Sequence, residues 1–239
     1  MGYNSNMDKE TIEIIRRSNL FQDASPATLE QALALGILRS VEEDGFFFMQ
    51  GDPATHAYVL VTGRVKMVQI TPTGQQITLR IMTPGQTYGG IALLKPQDGY
   101  PATAQAAENS SAMAWDTAKL RTLAGKEPSI SLNTMQLMHG YILELQERQK
   151  ALVTERVEQR IARILLKLAA ESGKKMDEGV LIDMRLTRQD VAEMSGTTLY
   201  TVSRTLSEWE RQGLLKIGRE RVLIRDPHGL VRIADDLVK

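Results

Sequence analysis

The sequence predicts an α+β chain with three parts: an N-terminal β-roll of the jelly-roll kind, a long helix, and a C-terminal winged helix-turn-helix. Three observations lead there. Over residues 37–116 glycine recurs about every ten residues between brief apolar runs. After Pro128 comes a long stretch of helical period, with neither Gly nor Pro between Tyr141 and Ser172. Residues 186–224 then offer two short capped helices followed by a Gly-centred hairpin.

Composition sets the outer bounds. At 239 residues the chain is long enough for two modest domains, and 42% hydrophobic with 24% charged residues is neither disordered nor a membrane bundle. No window approaches about 18 uninterrupted apolar residues, and the start MGYNSNMDKETIEIIRR lacks the apolar core of a secretory signal. A cytoplasmic protein without a membrane partner is expected. Cysteine is absent, which excludes disulfide frameworks, Cys-ligated clusters and Cys nucleophiles. Only His56, His139 and His228 remain, too few for a His-rich metal site. Net charge is zero, with a small basic excess confined to residues 155–239.

In chain order, LFQDASPATLEQALALGIL supplies Ser25 as N-cap and Pro26 at the first helical position, with Leu29, Ala32, Leu33 and Leu35 behind them as an apolar face. FFFMQ, YVLVTG, RVKMVQI and QITLRIM read as strands, the last two joined by a turn at Thr71-Pro72-Thr73-Gly74. About eight strands fit a roll or barrel. His56 falls in Gly51-Asp-Pro-Ala-Thr-His56 and reads as a solvent-exposed turn residue. Met135, Met138 and Ile142, with Leu137, Tyr141, Leu145 and Leu152, recur at three, four and seven along the long helix. That stripe packs either on its own β-domain or on a second copy in a two-stranded coil; Met135 and Met138 read as core. A hinge near Thr154 separates it from a second helix carrying Val157, Ile161, Ile164, Leu165 and Leu168, closed by Gly173. The expected domains are 1–127, 128–154 and 155–239.

In LTRQDVAEMSGTTLYTVSRTLSEWERQGLL, Thr187 and Asp190 form a capping box, Gly196 the turn, Thr197 or Thr198 the second N-cap and Gly213 the C-terminal stop. On the second helix Val202, Leu206 and Trp209 share one face; Tyr200, Ser203, Arg204, Ser207 and Arg211 share the other. Any surface helix has a solvated polar face. Here the presented groups are short or planar donors near the helix N-terminus, as reading base edges requires. A wing-like hairpin around Gly218 adds Arg219 and Arg221, and residues 185–225 hold eight basic against five acidic residues. Together these point to double-stranded DNA.

RIARILLKLA at 160–169, LTRQDVAEMSG at 186–196 and TVSRTLSEWERQGLL at 201–215 resemble the CRP/FNR family of bacterial transcription regulators, over roughly residues 18–226. The resemblance implies a cyclic-nucleotide-binding-like β-roll, a dimerisation helix and a winged helix, and so a homodimer on an inverted-repeat operator with RNA polymerase as partner. It also implies roles. Arg204 matches a guanine-reading arginine, Ser203 a neighbouring base contact, and Thr187, Arg188, Gln189, Thr198 and Thr201 phosphate contacts, with Arg219 and Arg221 in the wing. Tyr200 departs from the family's usual Glu, so the base pair it faces is open.

The sensor departs further. Cyclic-AMP-binding relatives present Gly-Glu for the ribose, Arg-Ser for the phosphate and Thr-Ser for adenine; here stand Gly89-Gly90, Tyr100-Pro101 and Leu145-Gln146. A phosphate would be buried without a counter-charge. The iron–sulfur branch ligates through Cys. Tyr100-Pro-Ala-Thr-Ala-Gln-Ala106 is similar to the segment of Cys-free relatives that bind haem and respond to nitric oxide; equally, Ala102, Ala104 and Ala106 form a strand packed against the long helix. His139 is either an axial ligand or a packing residue. Any effector is expected among Tyr88, Gly89, Gly90, Tyr100, Leu137, His139, Tyr141 and Leu145. Three readings stay open: a non-nucleotide ligand, a haem-based nitric oxide sensor, and a regulator controlled by abundance alone. A cupin-type metalloenzyme is a remote rival, because only His56 falls in the β-region. No enzyme activity and no metal are expected.

Overall fold

The computed structural model describes residues 7–94 and 99–236. Two compact units emerge: the chain up to Gln75 with Arg80–Leu143, and Gln76–Leu79 with the chain from Glu144.

The first unit begins with α1 (Lys9–Arg17), whose N-cap Asp8 accepts from the Thr11 N–H at 2.6 Å. α2 (Pro26–Leu35) is capped by Ser25 with proline at its start, as the sequence indicates. The strands are β1 (Ile37–Val41), β2 (Phe46–Phe48), β3 (His56–Thr62), β4 (Val65–Ile70), β5 (Gln76–Met82) and β6 (Thr87–Tyr88). After the short α3 (Ile91–Leu94) come β7 (Thr103–Ala106) and β8 (Ser110–Asp116), then α4 (Thr117–Ala124) and the long α5 (Pro128–Thr154), whose part from Glu144, like the Gln76–Leu79 start of β5, belongs to the second unit. They form two four-stranded sheets, β1-β8-β3-β6 and β2-β7-β4-β5, the eight strands of a roll. The β4–β5 turn is the expected one: Gly74 sits at φ +80° and its N–H bonds the Thr71 carbonyl at 2.8 Å.

Two clusters fill this unit. On one side of the first sheet, Trp115, Phe21, Ile15 and Leu120 pack with α1, α2 and α4, and the Trp115 indole N–H donates to the Ala32 carbonyl at 2.7 Å. Between the sheets lie Phe47, Phe48, Tyr58, Tyr88 and Tyr100, over a floor of Ala104, Ala106, Ala112 and Ala114. The small alanines leave the volume that the rings occupy. Ala102, Ala104 and Ala106 therefore belong to or border a strand, but it packs beneath aromatic rings, not against the long helix.

The second unit contains α6 (Val157–Ser172), β9 (Gly173–Met176), β10 (Gly179–Ile182), α7 (Arg188–Ser195), α8 (Leu199–Arg211), β11 (Leu215–Gly218), β12 (Arg221–Ile224) and α9 (Pro227–Ala234). Ile161, Leu165 and Leu168 of α6, Val191 of α7, and Val202, Leu206 and Trp209 of α8 are all buried. The wing pair β11–β12 extends into a four-stranded sheet, β11-β12-β10-β9.

Two expectations are corrected here. His56 is not an exposed turn residue: it is the first residue of β3, paired with Asp116 and half-buried. Met135 is not core of this chain, being 65% exposed, because it lies off the face of α5 on which Ile130, Asn133, Thr134 and Leu137 meet the core.

Candidate nucleic-acid interface

The interface is built from the caps of two helices. Thr187 and Asp190 exchange bonds at the start of α7: the Asp190 N–H donates to Thr187 Oγ1 at 3.0 Å, and the Thr187 N–H to Asp190 Oδ2 at 2.9 Å. Gly196 ends α7 in the left-handed region at φ +63°, ψ +45°, a conformation that costs a side-chain-bearing residue energy and lets the chain reverse tightly. Thr198 caps α8, its Oγ1 accepting from the Thr201 N–H at 3.2 Å. A hydrophobic face then anchors α8 and leaves Leu199, Tyr200, Arg204 and Ser207 exposed, with Thr201 and Ser203 half-buried.

Charge pairing separates the eight basic residues of 185–225 into two groups. Arg185 holds Glu220 at 2.6 Å, Lys216 and Arg225 share Glu178 at 3.3 and 3.0 Å, and Arg211 pairs with Glu208 one turn back. Arg188, Arg204, Arg219 and Arg221 are exposed and have no acidic partner among the described residues. These four are the arginines singled out from the sequence. The Arg185–Glu220 pair and a bond from the Leu186 N–H to the Glu220 carbonyl at 2.9 Å tie the wing turn to the start of α7, which fixes where Arg219 and Arg221 stand. Between α7, α8 and the wing is a cleft of about 410 Å³, bordered by Arg188, Gln189, Leu199 and Arg221.

The neutral residues expected at phosphates are engaged differently. The Thr187 hydroxyl bonds Asp190 at 2.7 Å, the Thr198 and Thr201 hydroxyls bond each other at 2.9 Å, and the Gln189 amide donates to Glu193 at 2.9 Å. Their side chains hold the helix starts in place. Leu199, 48% exposed at the first position of α8, lies one turn before Ser203.

Of the expected effector residues, Tyr88, Gly89, Gly90 and Tyr100 gather at one cluster, and Leu137, His139, Tyr141 and Leu145 do not join it. Tyr88 and Tyr100 are buried in the aromatic cluster, where Tyr100 stacks on Phe48 with centroids 3.7 Å apart and Tyr88 on Tyr58 at 5.1 Å. Gly89 adjoins it at φ +70°, and a Cβ there would meet the His56 carbonyl at 3.0 Å and the Tyr58 ring at 3.2 Å, so only glycine lets the rings close in. Gly90, beside it, is open on its Cβ side. Leu137 packs with the other cluster, Tyr141 is half-buried, and His139 and Leu145 are exposed. The Tyr100 hydroxyl is committed to the main chain of His56, donating to its carbonyl at 2.7 Å, and burial pushes it up to about 12. Burial also raises Tyr88 well above the usual phenol range, and its hydroxyl has no hydrogen-bond partner among the described residues.

Such a β-roll followed by a winged helix-turn-helix defines a DNA-binding regulator of transcription. A cyclic nucleotide-binding domain model matches residues 38–127, and a Crp-like helix-turn-helix domain model matches 159–233. The chain is 26% identical over 226 residues to a CRP-like cAMP-activated global transcriptional regulator of Mycobacterium tuberculosis, covering 93% of this chain and 99% of that one. It is 26% identical over 219 residues to a global nitrogen regulator of Nostoc sp., covering 88% and 97%. Among solved structures, FixK2 from Bradyrhizobium japonicum shares the fold with a TM-score of 0.72 at 22% identity, over 83% of this chain and 96% of that one. The chain belongs to the CRP/FNR family of transcription regulators.

Proposed function

We propose that this regulator acts as a homodimer on an inverted-repeat operator, with α8 of each copy in one of two successive major grooves and with RNA polymerase as its partner. The observation that carries the reading is the set of four exposed, unpaired arginines on α7, α8 and the wing. Surface pairing is worth little to stability, so what supports the reading is that the four stand together on the elements that would face the duplex, where phosphates or bases can take them. Arg204, on the presented face of α8, reads guanine; Arg188, Arg219 and Arg221 hold phosphates. Thr187, Gln189, Thr198 and Thr201 contribute by fixing the first-turn N–H groups of α7 and α8 towards phosphate. Tyr200 and Ser203 complete the base-reading surface. The apolar stripe left exposed on α5 supports dimerisation. The chain is non-enzymatic and works in the cytoplasm, where its operator lies.

Within the β-roll, the rings of Phe47, Phe48, Tyr58, Tyr88 and Tyr100 occupy the interior. The residues present do not fit a cyclic phosphate, because the cluster offers phenols and no carboxylate, and the guanidinium at its rim, Arg39, is engaged with the Tyr58 hydroxyl at 3.4 Å. As for a haem, His139 is exposed, and His56 bonds Thr55 Oγ1 through Nδ1 at 2.9 Å, which leaves its Nε2 as the nitrogen that could serve as an axial ligand. We infer DNA binding without a cyclic nucleotide. One observation favours a second reading, a small uncharged effector in the roll: the buried, unpartnered Tyr88 hydroxyl is a polar group that such a ligand would satisfy.

The test is binding to a palindrome with half-sites about one helical turn apart against a single half-site. The dimer binds the palindrome far more tightly, at 2:1 stoichiometry. Equal affinity for both would contradict the reading.

A further inference from the structure

A cleft of about 310 Å³ opens in the second unit where the end of α5 meets α6 and α7, and all of its walls belong to that unit. Leu79, Ala151, Leu152, Ile164 and Met194 give it an apolar lining. Two charged groups beside that lining are incompletely satisfied. Arg160, half-buried in the first turn of α6, donates from Nε to the Ser195 carbonyl at 2.8 Å and from Nη1 to the Glu155 carbonyl at 2.7 Å. Its Nη2 makes no hydrogen bond, and no carboxylate pairs with it, among the described residues. Glu155 Oε1 accepts from Arg163 Nε at 2.9 Å, while Oε2 is buried with no hydrogen-bond partner among the described residues. The lysines of the rim are paired, Lys150 with Glu147 and Lys167 with Glu144.

A buried carboxylate oxygen without a donor costs free energy, and a half-buried guanidinium without an anion is left short of its best partner. A ligand that answers both brings an anion to Arg160 and a donor, best a cation, to Glu155. The lining calls for an apolar body attached to them. A phosphate ester fails, because Glu155 repels it and receives no bond. A simple carboxylic acid leaves the Glu155 oxygen bare, and a simple amine leaves Arg160 bare. We propose that this cleft binds a free apolar α-amino acid, with its carboxylate on Arg160, its ammonium on Glu155 Oε2 and its side chain against Leu152, Ile164 and Met194. Such a ligand is neutral overall, so it satisfies both groups without disturbing the pairs at the rim. None of these residues belongs to the aromatic cluster or to the four exposed arginines, so the assignment stands apart from the reading of the DNA face.

Isothermal titration calorimetry on the full chain tests this with leucine, methionine and phenylalanine. At least one should bind with one molecule per chain. The tightest is then compared with its methyl ester, which masks the carboxylate, and with its deaminated acid, which lacks the ammonium. Each analogue should bind at least about tenfold more weakly, having lost one charge-assisted hydrogen bond. Glu155→Gln keeps an acceptor for Arg163 and removes the charge; it should weaken the amino acid by a similar factor and leave the deaminated acid unaffected. No binding by any of the three amino acids at millimolar concentration overturns the proposal. An ester or deaminated acid that binds as tightly as its amino acid also overturns it, and needs no variant to establish. So does a Glu155→Gln chain that binds the amino acid as the wild type does, which would place the ligand elsewhere.

Discussion

Replacing Ile142 with aspartate is expected to break the dimer and, through it, tight operator binding. Ile142 lies mid-way along α5 in the series Met135, Met138, Ile142, Leu145, Gln149, Leu152, whose steps alternate three and four. That alternation averages the 3.5-residue repeat of a two-stranded coil. Fully burying an isoleucine is worth about 1.5–3 kcal/mol, and at 52% exposure about half of that is still to be gained on association. Two copies per dimer make the loss about 2 kcal/mol before any cost of desolvating two carboxylates near the symmetry axis. The dimer constant should therefore weaken by at least about 30-fold. Sedimentation equilibrium measures this directly, and fluorescence anisotropy on the palindrome should show a parallel loss. Because Ile142 belongs to neither core cluster, the thermal melt of the monomer should be unchanged. A variant that still dimerises like the wild type would refute the placement of the stripe.

Arg219→Ala should weaken binding to all sequences alike and shallow the salt slope by about one unit, as titrations at several salt concentrations would show; loss at one base pair only would contradict its phosphate role. Gly196→Ala should lower stability by about 1–2 kcal/mol in urea unfolding. The new side chain would be held in the left-handed region, with its Cβ 2.7 Å from Leu152 Cδ2, and an unchanged midpoint would refute the strain. His56 is held below its usual 6.5 chiefly by burial and then by Arg39, against the opposing pull of Asp116. The unfolded chain therefore takes the proton more readily, so the contribution of His56 is present above about pH 6.5 and is lost as pH falls from there through its lowered folded-state value. The melting temperature should drop less between pH 7 and 5.5 in His56→Gln; equal drops would show that His56 is not the group responsible.

The parts of the fold legible in the sequence are those set by local chemistry. The Thr187–Asp190 capping box, the Thr198 cap, Gly196, Gly213 and the turn at Thr71–Gly74 each follow from what a few adjacent residues can do, and each stands where it was expected. The β9–β10 hairpin was not legible, because Gly173–Met176 is fully exposed and carries no apolar alternation. Nor was the burial of His56, which depends on the register between β3 and β8, strands more than fifty residues apart. Which arginines stand exposed on α7, α8 and the wing was readable, since Arg188, Arg204, Arg219 and Arg221 fall on presented faces. That Arg185 and Lys216 are neutralised was not, because Glu220 and Glu178 reach them across 35 and 38 residues. How the expected effector residues divide was not legible for the same reason: Tyr88 and Tyr100 enter one cluster and Leu137 the other once the sheets close.

The central claim, that α8 reads sequence through an unpaired Arg204, is tested most directly by measuring Arg204→Ala against an operator selected from a random double-stranded pool and all of its single-base variants. The account expects a loss of about 1–3 kcal/mol on the operator, with discrimination relaxed at one base pair per half-site and retained elsewhere. A loss spread evenly over every sequence, or none at all, would contradict it.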